Sequence, residues 1–228
     1  MRIGILGGTG PAGTALAARL ASIGYRVVIG SRSKYRAMEA RDEQLGKFPE
    51  LAGMLESGDN EDAARCDLVI IATPWDSAAT TAQEWESLLA GKILVSMAIA
   101  VVRVGGEFQP LLPPRGSVAA HVQAAVPNCR VVAAFHHLPA KELGHLGEPI
   151  ESDVLICGDD PRALETVAEI VAKIPGCRPL DAGELSNATA IEAFTAVLLQ
   201  LNVRYKTRVA PKLTGIKMKP AKSEPTAE

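Results

Sequence analysis

The sequence predicts an α/β fold: a Rossmann-type, doubly wound, mainly parallel sheet with a small C-terminal helical part. Three observations carry this. Short apolar runs alternate with segments of helical character from Arg2 to about residue 182. The runs are almost continuously hydrophobic, as strands buried on both faces of a parallel sheet are. The first run opens directly into a glycine-rich turn and a helix, the order of a dinucleotide-binding βαβ unit.

The first strand is Arg2–Leu6, and the turn is Gly8-Thr9-Gly10-Pro11-Ala12-Gly13, a G-x-G-x-x-G. Gly8 is expected to permit the tight turn, Gly10 to let a pyrophosphate approach the backbone, and Gly13 to let the helix pack closely on the strand. Pro11 suits a first helical turn, where its missing N–H leaves no bond unmade. The helix places Leu16, Leu20 and Ile23 on one face and stops at Gly24. Free N–H groups and the dipole at its start favour a negative pyrophosphate.

The second strand, Arg26–Ile29, ends in Gly30-Ser31-Arg32-Ser33-Lys34-Tyr35-Arg36. An NAD site usually places a carboxylate there to accept bonds from the ribose 2′-OH. Here no carboxylate appears before Glu39. Ser31 can donate to a phosphate oxygen, Arg32 can bind it bidentately and stack on adenine, and Lys34 or Arg36 adds charge. NADP is therefore expected over NAD.

Further on, Lys34–Leu45 reads as a helix, Leu51–Leu55 as a third strand, and Asn60–Arg65 as a brief helix capped by Asn60. The strand Asp67–Ala72 leads into Thr73-Pro74-Trp75, where Thr73 and Trp75 sit at a strand end that lines the cofactor crevice. A helix over Ser77–Leu89 and a strand over Lys92–Ser96 follow. Met97–Val104 is apolar without helical period and reads as a long functional loop. Next come a helix over Ser117–Val126, a strand over Val131–Phe135, and His136-His137-Leu138-Pro139-Ala140-Lys141. Strands over Asp153–Cys157 and Cys177–Leu180 flank a helix over Pro161–Ile174. From Glu184 the character changes. Leu185–Lys206 reads as one long helix with Ile191, Phe194, Leu198 and Leu201 on a stripe, and Lys219–Glu228 as a disordered tail. The expected organisation is an NADP-binding domain over 1–182, a helical segment over 183–218 that completes a cleft or a dimer, and a tail over 219–228.

Composition narrows the function. Of 228 residues, 47% are hydrophobic and 22% charged, which is globular, and a net charge of -2 gives no long-range pull toward nucleic acid. No run approaches the length of a membrane span, and no signal peptide is expected. Cys66, Cys129, Cys157 and Cys177 have no metal-ligand spacing and read as buried thiols in a reducing cytoplasm. No metal is expected.

The segments GGTGPAG, GSRSKYR, ATPW, FHHLPA, CGDDP, RPLDAGELSNA and LTGIKM occur in the order seen in one family. Together they resemble the F(420)-dependent NADP reductases, along nearly the whole chain. The resemblance implies reversible hydride transfer between NADPH and coenzyme F(420), an 8-hydroxy-5-deazaflavin, in a homodimer. It implies NADP contacts at Thr9, Gly10, Pro11, Ala12, Ser31, Arg32, Arg36, Thr73, Ile99 and Ala140. It implies that His136 and Leu138 lie beside the deazaflavin ring, while no residue is assigned as a certain acid, base or nucleophile.

That chemistry asks little of side chains, because both hydride-bearing atoms belong to cofactors. The protein must stack two rings, exclude water and stabilise developing charge. His136 can donate to a ring carbonyl, whereas His137 reads more readily as a core histidine bonded to backbone. Lys141, Arg103 and Lys212 are available to an anionic deazaflavin tail. Two rival functions stay open on the residues alone: an NADPH-dependent reductase of a small imine or keto acid, and a non-enzymatic NADPH sensor.

Overall fold

A computed structural model describes residues 1–216. The expected disordered tail, Lys219–Glu228, lies outside the described residues. The chain begins with β1 (Arg2–Leu6), α1 (Pro11–Ser22), β2 (Arg26–Ser31), α2 (Lys34–Lys47), β3 (Leu55–Asp59), α3 (Asn60–Ala64) and β4 (Leu68–Ile71). It continues through α4 (Trp75–Glu84), α5 (Glu86–Leu89), β5 (Ile93–Ser96), β6 (Val101–Val104), β7 (Glu107–Pro110), α6 (Val118–Ala125) and β8 (Arg130–Ala133). It ends with α7 (Ala140–Leu143), β9 (Ser152–Gly158), α8 (Pro161–Lys173), β10 (Cys177–Asp181) and α9 (Ala188–Tyr205).

Eight strands form one sheet in the order β10-β9-β8-β5-β4-β1-β2-β3, and β6 pairs only with β7. The six strands from β8 to β3 are parallel. β9 runs antiparallel to β8 over two residue pairs and parallel to β10. The sheet is thus the mainly parallel, doubly wound one expected. Its order reverses between β1 and β4, since β1 leads outward to β2 on one side and pairs with β4 on the other. The crevice beyond the strand ends at such a reversal is where ligands bind in open α/β sheets.

Alternate residues of the central strands feed two cores. Ile3, Ile5, Leu68, Ile70 and Val95 join Leu16 and Leu20 of α1 and Val167 and Val171 of α8 on one face. Leu6, Val69, Ile71 and Leu94 join Ala78 and Ala82 of α4 and Val118 and Val122 of α6 on the other. Each fully buried Leu or Ile contributes about 1.5–3 kcal/mol relative to exposure, so strands with two buried faces define the layer order.

Several local expectations need correction. The third strand is Leu55–Asp59, not Leu51–Leu55: Pro49–Leu51 makes a 3-10 turn, and Gly53 at φ 86° redirects the chain before pairing begins. Asn60 is not the cap of α3. Asp59 is, accepting from Asp62 N–H at 2.9 Å, while the Asp62 carboxylate accepts from Asp59 N–H at 3.1 Å in a reciprocal capping box. The helix expected over Ser77–Leu89 starts at Trp75 and breaks at Trp85. The end of the Met97–Val104 loop is a strand, forming a hairpin whose tight turn uses Gly105 at φ 60°. The long helix over Leu185–Lys206 is a 3-10 turn followed by α9, and Lys206 stops it in the left-handed region. Of its expected apolar stripe, Ile191 and Leu198 are buried, whereas Phe194 is 39% exposed.

Candidate functional site

The loops after β1, β2, β4 and β5 enclose a cavity of about 660 Å³ at the order reversal. Thr9, Gly10, Pro11, Ala12, Gly13, Ser31, Arg32, Arg36, Thr73 and Ile99 all line it, and so does Trp75. Gly8, His136, Leu138 and Ala140 lie outside that lining.

The turn after β1 is built differently from the expectation. The left-handed residue is Gly7, at φ 65°, and not Gly8. A side chain at Gly7 would also meet Thr73 Cγ2 at 2.4 Å, so the turn and the end of β4 are in direct contact. Gly13 lets α1 close on the turn, because a Cβ on it would lie 2.7 Å from the Gly8 carbonyl, whereas a Cβ on Gly8 would meet the Ile5 carbonyl at 3.0 Å. Gly10 has no protein atom within 4 Å of where its Cβ would stand. The open side of Gly10 therefore faces the cavity, at the start of α1, where unbonded N–H groups and the helix dipole favour an anion.

Asn60 is a cavity residue that the sequence reading misassigned. It is buried, lines the cavity, and its Oδ1 accepts from Gly7 N–H at 3.2 Å. Asn60 thus holds the glycine turn from beneath. The only sequence signal was its place in Asp59-Asn60-Glu61-Asp62, which reads as a helix start and conceals the inward role.

At the β2 end, Ser31 is buried and its Oγ accepts from Ser33 N–H at 3.3 Å, which holds the hydroxyl at the cavity wall. Lys34 is committed elsewhere, at 3.0 Å from Asp59 and 3.5 Å from Asp62. Those carboxylates draw its pKa up, chiefly through the bond to Asp59. Among the described residues, neither Arg32 nor Arg36 has a carboxylate partner, and both line the cavity. The cationic groups free to meet an anion there are the two guanidiniums.

Buried polar groups without a partner gather at the ends of three adjacent strands. These include Thr73 Oγ1 beyond β4, Ser96 Oγ at the end of β5, and both ring nitrogens of His136 with Nδ1 of His137 beyond β8, while Trp85 Nε1, between α4 and α5, is unpartnered as well. Burial, and secondarily the neighbouring His137, drive the His136 pKa down to about 3; the Ala134 backbone pulls the other way from outside hydrogen-bonding geometry. His136 is therefore a neutral imidazole near pH 7, with one N–H to donate. His137 differs. Its Nε2 lies 2.9 Å from the Asp153 carbonyl and 3.2 Å from Leu155 N–H, so β9 takes its bond whichever tautomer it holds. Burial brings its pKa down to about 4. Leu138 is buried against the same core as α1, and Ala140 is the first residue of α7.

Two of the three cations read as available to an anionic tail have other engagements. Arg103 stands over the Phe108 ring at 5.8 Å, and Lys212 pairs with Glu151. Lys141 has no ion pair among the described residues. No group of three or more His, Cys, Asp or Glu side chains among the described residues gathers as metal ligands do. No described helix is long and apolar enough to cross a membrane.

Comparison with known proteins agrees with this geometry. Residues 2–100 match the family model for NADP oxidoreductase, coenzyme F(420)-dependent. The F(420)-dependent NADP reductase of Methanocaldococcus jannaschii is 37% identical over 96% of this chain and 98% of its own length. The protein of that name from Methanothermobacter thermautotrophicus is 33% identical over 92% of this chain and 93% of its own. A crystal structure from an Arthrobacter species, assigned as an F(420)-dependent NADP reductase, superimposes with a TM-score of 0.77 at 26% identity, covering 92% of this chain and all of that one. The likeness extends over nearly the whole chain, and the chain belongs to the F(420)-dependent NADP reductase family.

Proposed function

We propose that the protein catalyses reversible hydride transfer between NADPH and coenzyme F(420). The observation that carries this reading is the cavity at the sheet's order reversal. Its β2 end offers two guanidiniums and no carboxylate, which suits a 2′-phosphate. The full-length likeness to reductases of that name supports the second substrate.

In this reading residues 1–182 bind NADP. Thr9, Gly10, Pro11, Ala12 and Gly13 cradle the pyrophosphate at the start of α1, and Gly8 belongs to the turn on which that helix closes. Ser31, Arg32 and Arg36 hold the 2′-phosphate. Thr73, Ile99 and Ala140 meet the nicotinamide half, and the unpartnered Thr73 hydroxyl suits its carboxamide. His136 donates its N–H to a carbonyl of the deazaflavin, and Leu138 sets the ring spacing. Both nitrogens of His136 are closed to solvent, so the imidazole must rotate or its segment must shift to meet a ring.

The two bound substrates supply the hydride donor and acceptor. The chain's part is to bring the reacting carbons to about 3–3.5 Å and exclude water, which is where effective molarity arises. A neutral His136 suits this work, since it polarises a carbonyl without placing a fixed positive charge in the site.

The C-terminal part from residue 183 through α9 completes the cleft, and a homodimer through α9 is part of the proposal. Phe194, Val197, Val203 and Tyr205 leave apolar surface exposed along that helix. The cytoplasm is the proposed location, in keeping with cysteines that are all unpaired.

The test mixes purified protein, NADPH and oxidised F(420) and follows the deazaflavin absorbance. Bleaching that depends on both protein and NADPH is expected. Tight NADPH binding with no bleaching would reject the reading and favour a reductase of a small imine or keto acid, or a sensor. Light scattering during gel filtration tests the dimer.

A further inference from the structure

Arg19 is the largest fully buried side chain of the described residues, with 1% of its surface exposed, and no carboxylate pairs with it. All five of its N–H donors are used on main-chain carbonyls. Nε donates to Leu143 at 3.1 Å. Nη1 donates to Leu146 at 3.3 Å and to Glu148 at 3.2 Å. Nη2 donates to Glu142 at 3.0 Å and to His145 at 2.7 Å. A guanidinium has five such donors in a rigid planar fork, so the set is complete. A buried arginine that satisfies only backbone acceptors is a device for holding a backbone, not for balancing charge.

What it holds is the excursion between β8 and β9. That excursion carries His136 and Leu138 at its start, then α7, then the turn over residues 142–148. Its start is pinned to β9 through His137. Its far end is pinned to α1 through Arg19, while Arg208 of the C-terminal segment pairs with Glu142 from the outside at 3.2 Å. Along the way α7 rests on α1: a Cβ on Gly144 would stand 3.8 Å from Ala15 Cβ, and Leu138 and Leu143 share a core with Ala15 and Leu16. The helix whose first turn lines the NADP cavity and the segment that faces the second ring are therefore fastened to each other by this packing and by the hydrogen bonds of one side chain.

We infer that Arg19 is a positioning residue for hydride transfer, fixing the separation between the NADP-binding helix α1 and the His136–Ala140 segment. This rests on the function proposed above. It goes beyond it by placing control of the inter-ring distance at a residue outside both binding sites.

The test compares wild type with Arg19→Lys and Arg19→Met. Three quantities are read: the NADPH dissociation constant by fluorescence, the kcat and KM for F(420), and hydrogen exchange of residues 140–148. A misplacement of about 1 Å between reacting groups costs on the order of a hundredfold in rate. Arg19→Met is expected to keep the NADPH constant within about twofold, to lose roughly that hundredfold in kcat/KM for F(420), and to lose amide protection over residues 142–148. Lys keeps three donors on one rotating centre and cannot fork across five carbonyls, so partial recovery is expected. If Met does not fold, the Lys variant carries the comparison.

The inference is overturned if NADPH affinity falls as far as kcat/KM for F(420). It is also overturned if activity falls only in step with the folded fraction, or if kinetics are unchanged while protection is lost. A wild-type protein that does not reduce F(420) with NADPH would reject the proposed function, and the positioning role with it, whatever hydrogen exchange says about the tether.

Discussion

Arg32→Ala is expected to change which dinucleotide the protein prefers while leaving its fold intact. Arg32 is exposed, has no carboxylate partner among the described residues, and lines the cavity beside Ser31. No internal bond is therefore lost on truncation. A hydrogen bond to a charged group contributes about 1.5–3 kcal/mol, which is roughly a 10- to 150-fold change in affinity. Exposure and salt screening favour the lower half of that range. NADPH affinity is thus expected to fall about 10- to 30-fold, with NADH affinity within a factor of about two. Arg36→Ala is expected to act in the same direction and less strongly, because Arg36 sits one turn into α2. The measurement is fluorescence titration with both dinucleotides at low and moderate salt. The NADPH-to-NADH ratio should fall with added salt in wild type and flatten in the variant. Equal weakening of both dinucleotides would show that Arg32 acts on a part they share, such as adenine, and the 2′-phosphate assignment would be wrong.

The glycines of the turn separate fold from binding. Gly13→Ala places a Cβ 2.7 Å from the Gly8 carbonyl and should lower the melting temperature by several degrees, whereas Gly10→Ala meets no protein atom and should leave it unchanged while weakening NADPH about tenfold or more. The folded pKa of His136, about 3, lies below its unfolded value, so wild type should lose stability as pH falls from about 6.5; denaturant titrations should show a shallower loss in His136→Gln, and an identical loss would refute the burial argument. Glu192 has the opposite sign. Its carboxylate is buried under α6, accepts from Val118 N–H at 2.8 Å and Ala119 N–H at 3.0 Å, and is pushed up to about 7 by burial. Its contribution should therefore fall as pH rises from about 4.5 to 7, and the stability of wild type relative to Glu192→Gln should fall across that window.

What could be read from the chain depends on where each element finds its partners. β1, β2, β4, β5 and β8 were legible because both their faces are buried and their residues are apolar except at the strand ends. β3 was misplaced because it is an edge strand reading Leu-Glu-Ser-Gly-Asp, with one neighbour and little apolar content. The β6–β7 hairpin was missed for a similar reason, since most of its residues are exposed and it joins no larger sheet. Arg19 gave no signal at all. In Ala-Leu-Ala-Ala-Arg-Leu-Ala-Ser it looks like a surface residue of an alanine-rich helix, and its acceptors are backbone groups more than a hundred positions away. The chemistry at the end of β2 was legible because it depends on residue type over a few positions. Its refinement, that Lys34 is already paired, required the distant Asp59 and Asp62 to be placed beside it.

The two adjacent histidines show how the backbone assigns roles that residue type cannot. Phe135 precedes them at φ 66°, a left-handed conformation that costs a non-glycine residue about 1–2 kcal/mol. Its ring is fully buried, so the cost is offset by packing and the turn is held. The kink sends His137 onto β9, where its Nε2 is bonded, and leaves His136 with neither nitrogen bonded. An unsatisfied buried polar group costs a further 1–3 kcal/mol or so. Two unfavourable terms thus fall on consecutive residues at the end of β8, in line with the unpartnered hydroxyls at the ends of β5 and β4. Packing alone would favour an apolar side chain at each of these positions. Polar groups held without partners along one sheet edge, beside a cavity, add nothing to the stability of the fold and fit the polar ring system of the proposed reaction. Pinning the segment at His137 and at Arg19 while leaving His136 free confines what movement there is to the residues that would have to meet that ring.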